Sequence, residues 1–168
     1  MRICVYCASS ARIDKVYFNA AERLAAAFAK AGVEVVYGGG AAGLMGVLAD
    51  TMLKHGGKIK GILPKFMVDV EWEHKGVSDM IMTDTMHERK ARFLEDVDAL
   101  VALPGGCGTL EELLEAITLK RLGQFTKPII ILNTKGYFNP LLEMFEKAVK
   151  ENFMKDIHLD MWKVVNEP

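Results

Sequence analysis

The chain is poor in the residues that cross-link, chelate or span. Its 168 residues include three cysteines, and an odd number supplies no disulfide framework. Cys4 and Cys7 spell C-x-x-C, but residues an odd number apart on a strand point to opposite faces. The pair is therefore read as two buried strand thiols, not as a shared metal site or a disulfide. His55, His74, His87 and His158 form no i, i+4 pair, so no metal is expected. No apolar run approaches the roughly 20 residues of a membrane span. The opening MRICVYCASS enters a strand at once, without the longer apolar segment and cleavage site of a signal peptide. Neither sign of charge dominates. A net charge of -1 and a pI near 6.4 offer no general attraction for nucleic acid or an anionic membrane, so an anion site must be local. The expectation is a cytoplasmic protein with no nucleic-acid or membrane partner.

What the chain does have is apolar material, 51% of its residues. That is enough for one well-cored domain over 1–168 and too little length for two. Strand-like and helix-like segments alternate. Strands are predicted at about 2–8, 33–37, 58–63, 79–83, 98–103, 128–132 and 162–165, with helices at about 15–31, 43–55, 85–97, 109–122 and 137–151. Runs such as IIIL at 129–132 are apolar throughout, as expected where both faces of a parallel sheet are covered. The fold class is α/β, a doubly wound parallel sheet with helices on both faces. The least regular stretch, 64–78, is read as a lid or rim loop.

In such a sheet, ligands sit beyond the carboxyl ends of the strands. The most informative loop is Pro104–Glu112, PGGCGTLEE, which follows the apolar run Ala99–Leu103 and opens a helix. Gly105, Gly106 and Gly108 lack a Cβ and let backbone N–H groups approach a phosphate, while the free donors and dipole of the helix favour its charge. Glu111, Glu112 and Glu115 then stand where a purely phosphate-binding helix would avoid acids. Two accounts fit: catalysis, or a capping box with Thr109 as N-cap and Glu112 bonding back to it.

The other loops add donors and cations. Ala8-Ser9-Ser10 follows the first strand, with hydroxyls suited to a phosphate or ribose. The second strand leads into Gly38-Gly39-Gly40-Ala41-Ala42-Gly43, a G-x-G-x-x-G match in the wrong place for a dinucleotide. That fingerprint belongs after the first strand, with an acid closing the next, but the first turn has no glycine and the strand after the match runs KIKGILP. NAD is disfavoured. Asp84 precedes the helix at 85–97, where Arg89, Lys90 and Arg92 occupy the early turns, the wrong end of the dipole for cations. On a helical wheel Met86, Phe93, Leu94 and Val97 form the apolar stripe. Lys90 falls near its middle and Arg89 at its rim. Arg89 is either a solvated cation paired with Glu88 or Asp84, or a guanidinium facing a cleft.

YGGGAAGLMG, MHERKARF and PGGCGTLEE together resemble the Lonely Guy family, the cytokinin-activating nucleoside 5′-monophosphate phosphoribohydrolases. The resemblance runs from CVYCASS to KVVNEP. It implies a Rossmann-like homodimer that hydrolyses the N-glycosidic bond of an adenosine-type monophosphate, AMP or an N6-modified AMP, without a cofactor. By position Arg89 and Glu112 match the family's catalytic pair, and Gly105, Gly106, Gly108 and Thr109 its phosphate turn. Ser9, Gly39, Gly40, Gly43, Met86, Lys90, Pro104 and Glu115 are the further residues expected at the substrate. Ala8, Ala41 and Cys107 depart from the family's usual glycine, serine and aromatic or aliphatic residue, which bears on substrate preference. A molybdenum-cofactor-carrier-like binding protein would share the fold and glycine turns without needing Arg89 and Glu112. Relatives also carry a lysine decarboxylase label, but no lysine here has a recognisable context for binding pyridoxal phosphate.

The helix at 109–122 bears on assembly. Leu110, Leu113, Leu114 and Ile117 form one apolar stripe, while Leu119 and Leu122 project away from it and Phe125 follows on that side. This second face predicts a homodimer contact.

Overall fold

A computed structural model describes residues 1–68 and 73–168. Its strands are β1 (Arg2–Tyr6), β2 (Glu34–Tyr37), β3 (Lys58–Pro64), β4 (Asp79–Thr83), β5 (Ala99–Ala102), β6 (Ile129–Leu132) and β7 (Lys163–Val165). All pair in parallel in the order β4-β3-β2-β1-β5-β6-β7. The helices are α1 (Lys15–Lys30), α2 (Gly43–Lys54), α3 (Met86–Leu94), α4 (Cys107–Arg121) and α5 (Asn139–Lys150). Parallel neighbours require crossovers, and these helices supply them on both faces of the sheet. No described helix is long and apolar enough to cross a membrane.

Alternation along β1 divides the core in two. Ile3, Val5 and Cys7 pack with Ala20, Ala21, Leu24 and Ala25 of α1 and with Leu44, Leu48 and Met52 of α2. Cys4 and Tyr6 face the other way, onto Phe93 of α3, Leu113 and Ile117 of α4, and Phe145 of α5. Both thiols are buried, on opposite faces, as the strand period requires. Each large aliphatic or aromatic side chain fully buried here contributes about 1.5–3 kcal/mol.

The predicted elements are present, with informative differences at their ends. α3 stops at Leu94 because Asp96 turns left-handed, at φ 55°. α4 begins two residues before Thr109, with Gly106 in extended conformation as its N-cap. Thr109 lies inside the first turn and is buried, so the proposed Thr109–Glu112 capping box does not form. Two adjacent glycines start the helix instead. Within 64–78, Lys65–Met67 forms a short 3₁₀ turn and Gly40 bridges to Glu73. Residues 69–72 of that proposed lid lie outside the described residues.

The strand order reverses at β1, whose neighbours are β2 and β5. Ligands collect at such a switch point because the loops on either side diverge and leave a crevice. Here the loops are tied together by the backbone of one residue. The Ala8 N–H donates to the Pro104 carbonyl at 3.2 Å, and the Ala8 carbonyl accepts from Leu44 and Met45 at 2.9 and 3.3 Å. This linkage needs Gly43, which has φ 60° and whose Cβ would lie 2.5 Å from the Ser9 carbonyl carbon. Gly56 is also left-handed, at φ 67°, but a Cβ there meets nothing within 4 Å. Urea unfolding should therefore show Gly56→Ala losing about 1–2 kcal/mol from backbone strain. Gly43→Ala should lose roughly 1–3 kcal/mol more from the added overlap. Equal losses would contradict the role given to the Gly43 contact.

Candidate active site

A cleft of about 380 Å³ opens at the switch point. Its walls come from the end of β1 and the following loop (Tyr6 to Ser10), Gly38 after β2, Met67, Met86 and Arg89 of α3, and the start of α4 from Gly106 to Thr109 with Glu111 and Glu112. The segments that follow each of the first five strands thus border one space.

Arg89 is buried, not at a rim, with 4% of its surface exposed. Its neighbouring acids are engaged elsewhere: Asp84 pairs with Lys65 at 2.6 Å, and Glu88 accepts from the Asp84 N–H at 3.0 Å. The guanidinium is instead held by the sheet, with Nε donating to the Ile62 carbonyl at 3.2 Å and Nη2 to the Gly38 carbonyl at 3.0 Å. The Phe93 ring lies 5.2 Å from Cζ, and its negative face supports a desolvated cation. A Cβ on Gly38 would stand 2.8 Å from Nη2, so glycine is what lets the arginine reach that carbonyl.

The PGG turn divides into a packed half and an open half. Pro104 and Gly105 are buried, and a Cβ on Gly105 would fall 2.1 Å from Thr109 Oγ1. At Gly106 and Gly108 a Cβ would meet nothing within 4 Å, and both border the cleft. α4 has no side-chain cap, leaving the first-turn N–H groups without intrahelical partners. The result is an anion cradle of backbone donors beside Ser9 and Ser10. Of the two glycine-led helices, only α4 is open in this way, because the first N–H groups of α2 bond to Ala8.

Glu112 is half-buried on the wall. Its charge and that of Arg89 both reach Cys4 beneath the cleft, in opposite directions. Burial pushes the Tyr6 hydroxyl well above the usual tyrosine range, and Cys4 and Glu112 push it further. Tyr6 is therefore a neutral floor to the site.

Several residues expected at the substrate are placed elsewhere. Lys90 is bonded to Glu111 at 2.5 Å and Glu115 at 3.0 Å, and these carboxylates hold its ammonium pKa above the ordinary lysine value. Lys90 and Glu115 do not border the cleft; nor do Gly39, Gly40, Gly43, Pro104 and Gly105, which shape the loops behind it. Asp84 is an exposed partner of Lys65. Ser9, Met86, Gly106, Gly108, Thr109, Arg89 and Glu112 do meet there. Sequence reasoning missed Tyr6 and Met67. Tyr6 could have been found as the last residue of the strand at the switch point, whereas Met67 lies in an irregular stretch with no periodic signal.

A family model described as "Possible lysine decarboxylase" matches residues 45–168. The chain is 45% identical over 154 residues to a rice (Oryza sativa subsp. japonica) protein named "Probable cytokinin riboside 5'-monophosphate phosphoribohydrolase LOGL1", covering 92% of this chain and 69% of that one. It is 42% identical over 153 residues to the Arabidopsis thaliana cytokinin riboside 5'-monophosphate phosphoribohydrolase LOG2, covering 91% and 72%. In fold it is similar to the molybdenum cofactor carrier protein of Chlamydomonas reinhardtii, with a TM-score of 0.75 at 21% identity over 99% of this chain and 89% of that one. That likeness concerns the fold alone. The chain belongs to the Lonely Guy (LOG) family.

The buried groups under the cleft imply an alkaline limit to stability. Burial, then the charge of Glu112, holds the Cys4 thiol protonated well above its ordinary value of 9.0, whereas an unfolded chain releases that proton there. Once the unfolded state binds fewer protons than the folded one, stability falls as pH rises. The fall begins near the unfolded value and continues toward the raised folded value. Cys4→Ala should make the urea midpoint decline less steeply between about pH 8 and 10. An unchanged slope would show that the Cys4 thiol is not responsible.

Proposed function

We propose that this chain is a nucleoside 5′-monophosphate phosphoribohydrolase, cleaving the N-glycosidic bond of AMP or an N6-modified, cytokinin-type AMP to free base and ribose 5-phosphate. The observation that carries this reading is one cleft bordered by the open N-terminus of α4, by Glu112 and by buried Arg89. A 5′-phosphate on the Gly106–Gly108 donors would fix one end of the nucleotide and place its glycosidic bond near the pair, so that binding energy is used for orientation.

Hydrolysis adds water across the bond. The water oxygen joins the sugar's anomeric carbon, the base departs with the bonding electron pair, and the base gains a proton. Positive charge grows on the ribose and negative charge on the base in the transition state. Glu112 opposes the first and can take the proton of the attacking water. Arg89, its fork set by two carbonyls, faces the second. Both act mainly in the transition state. Water is the only co-reactant, so no redox or carbonyl cofactor is required. A carrier protein would need the cradle without this pair. For a decarboxylase, the described cleft wall offers no lysine. Three cysteines with no disulfide among the described residues suit a reducing cytoplasm.

Product analysis with AMP, its N6-isopentenyl analogue and the corresponding nucleosides tests this. Both monophosphates should release base and the nucleosides should be poor substrates. Arg89→Ala and Glu112→Gln should each lower kcat by about a hundredfold or more. Glu112→Gln should leave the melting temperature nearly unchanged, whereas Arg89→Ala should lower it, because it takes the donors from the Ile62 and Gly38 carbonyls and leaves a buried gap. Equal turnover of nucleosides, or a fully active Glu112→Gln, would sink the assignment.

We also propose a homodimer, with the predicted contact corrected. Phe125 is buried in the chain's own core and Leu119 packs partly against it, so neither is available as first drawn. Leu114 and Leu122 of the α4 region are exposed instead, at 39% and 58%. Light scattering should give twice the 18.6 kDa chain mass. Leu114→Asp with Leu122→Asp should shift it toward one. A wild-type chain that stays monomeric at micromolar concentration refutes the proposal.

A further inference from the structure

The turn after β6 reaches over the turn after β5 with a single hydroxyl. Tyr137 Oη donates to the Gly105 carbonyl at 2.6 Å, across 32 residues of chain. The two turns are neighbours because β6 pairs with β5. Tyr137 does not border the cleft, yet its bond falls on the peptide that joins the packed and open halves of the PGG turn.

That peptide is trans, as no cis bond occurs among the described residues, so the Gly105 carbonyl and the Gly106 N–H point in opposite directions from one rigid plane. Holding the carbonyl toward Tyr137 aims the N–H away from it. Gly106 is the residue at which the turn meets the cleft. With no side chain at either position, the plane has little else to resist rotation, and glycine dihedrals are soft.

The tyrosine is itself firmly seated. Lys135 and Gly136 before it are both left-handed, at φ 58° and 70°, a costly arrangement for lysine. It is held from both sides: Lys135 pairs with Asp14 at 2.6 Å, and Asn133 accepts from the Phe138 N–H at 2.7 Å and donates to Asn139 at 2.8 Å. The ring packs edge-on against Tyr17 and Phe138, with centroids 5.9 and 5.2 Å away.

We propose that Tyr137 is a positioning residue for phosphate recognition: through the Gly105 carbonyl it orients the Gly106 N–H toward the 5′-phosphate of the substrate. This rests on reading the PGG turn as the phosphate site. Tyr137→Phe keeps the ring contacts and removes only the hydroxyl, and Tyr17→Phe removes a neighbouring hydroxyl that does not touch the turn. The probes are the two products, ribose 5-phosphate and adenine, used as inhibitors of AMP hydrolysis.

Tyr137→Phe should weaken inhibition by ribose 5-phosphate about three- to tenfold, the usual worth of one hydrogen bond. Adenine inhibition and melting temperature should be unchanged, and Tyr17→Phe should behave as wild type. Unchanged ribose 5-phosphate inhibition in Tyr137→Phe overturns the proposal. So does parallel weakening of both inhibitors or a large drop in melting temperature, either of which marks a general structural role. If ribose 5-phosphate fails to inhibit the wild-type enzyme while adenine does, the phosphate reading of the turn falls first and this proposal with it.

Discussion

The site depends on the two-sided use of the Ala8 backbone. Its N–H holds the loop after β5 and its carbonyl holds the start of α2, so three strand ends that the topology merely brings near one another become one rigid wall. A parallel sheet places loops in the same region but does not fix their relative height or tilt. Buried backbone groups must find partners, and here they find one another. The consequence is a division of labour between two glycine-led helices. α2 gives its first donors to the protein, and α4 leaves its own open to the cleft.

Arg89 shows how the sheet's own carbonyls help to seat a buried cation. Removing an ion from water is costly, and the carbonyls of Ile62 and Gly38 offset part of that cost with directional bonds. Those carbonyls lie at the carboxyl ends of β3 and β2, so the fold supplies them in the region where ligands bind. Gly38 gives the space, Phe93 the underside, and α3 the stem. Phe93 and the stem belong to one helix, while the two carbonyls come from β3 and the end of β2. The guanidinium's place is therefore a property of the whole sheet edge, and no short segment encodes it.

That explains what could be read in advance. The strands were legible because both of their faces are buried, which makes continuous apolar runs such as Ile129–Leu132. The split of Cys4 and Cys7 followed from strand period alone. Glu112 and the glycines of the PGG turn were legible because their chemistry is local. Arg89 was misplaced at a rim because a helical wheel describes one helix and knows nothing of carbonyls on other strands. The T-x-x-E spacing at Thr109 suggested an N-cap, but the same spacing fits a helix that starts earlier at a glycine, and only the packing of Thr109 under Gly105 separates the two. Tyr137 gave no signal, since its partner is set by strand order.

The anchoring of Arg89 also separates the site's responses to solution conditions. Pairs such as Lys65 with Asp84 and Lys135 with Asp14 are solvent-exposed, and added salt screens them over distances of about 8–10 Å. The bonds from Arg89 to two buried carbonyls are short-range and shielded from ions. Raising ionic strength therefore loosens the turns around the cleft while the guanidinium keeps its bearing, so the rim softens before the centre does.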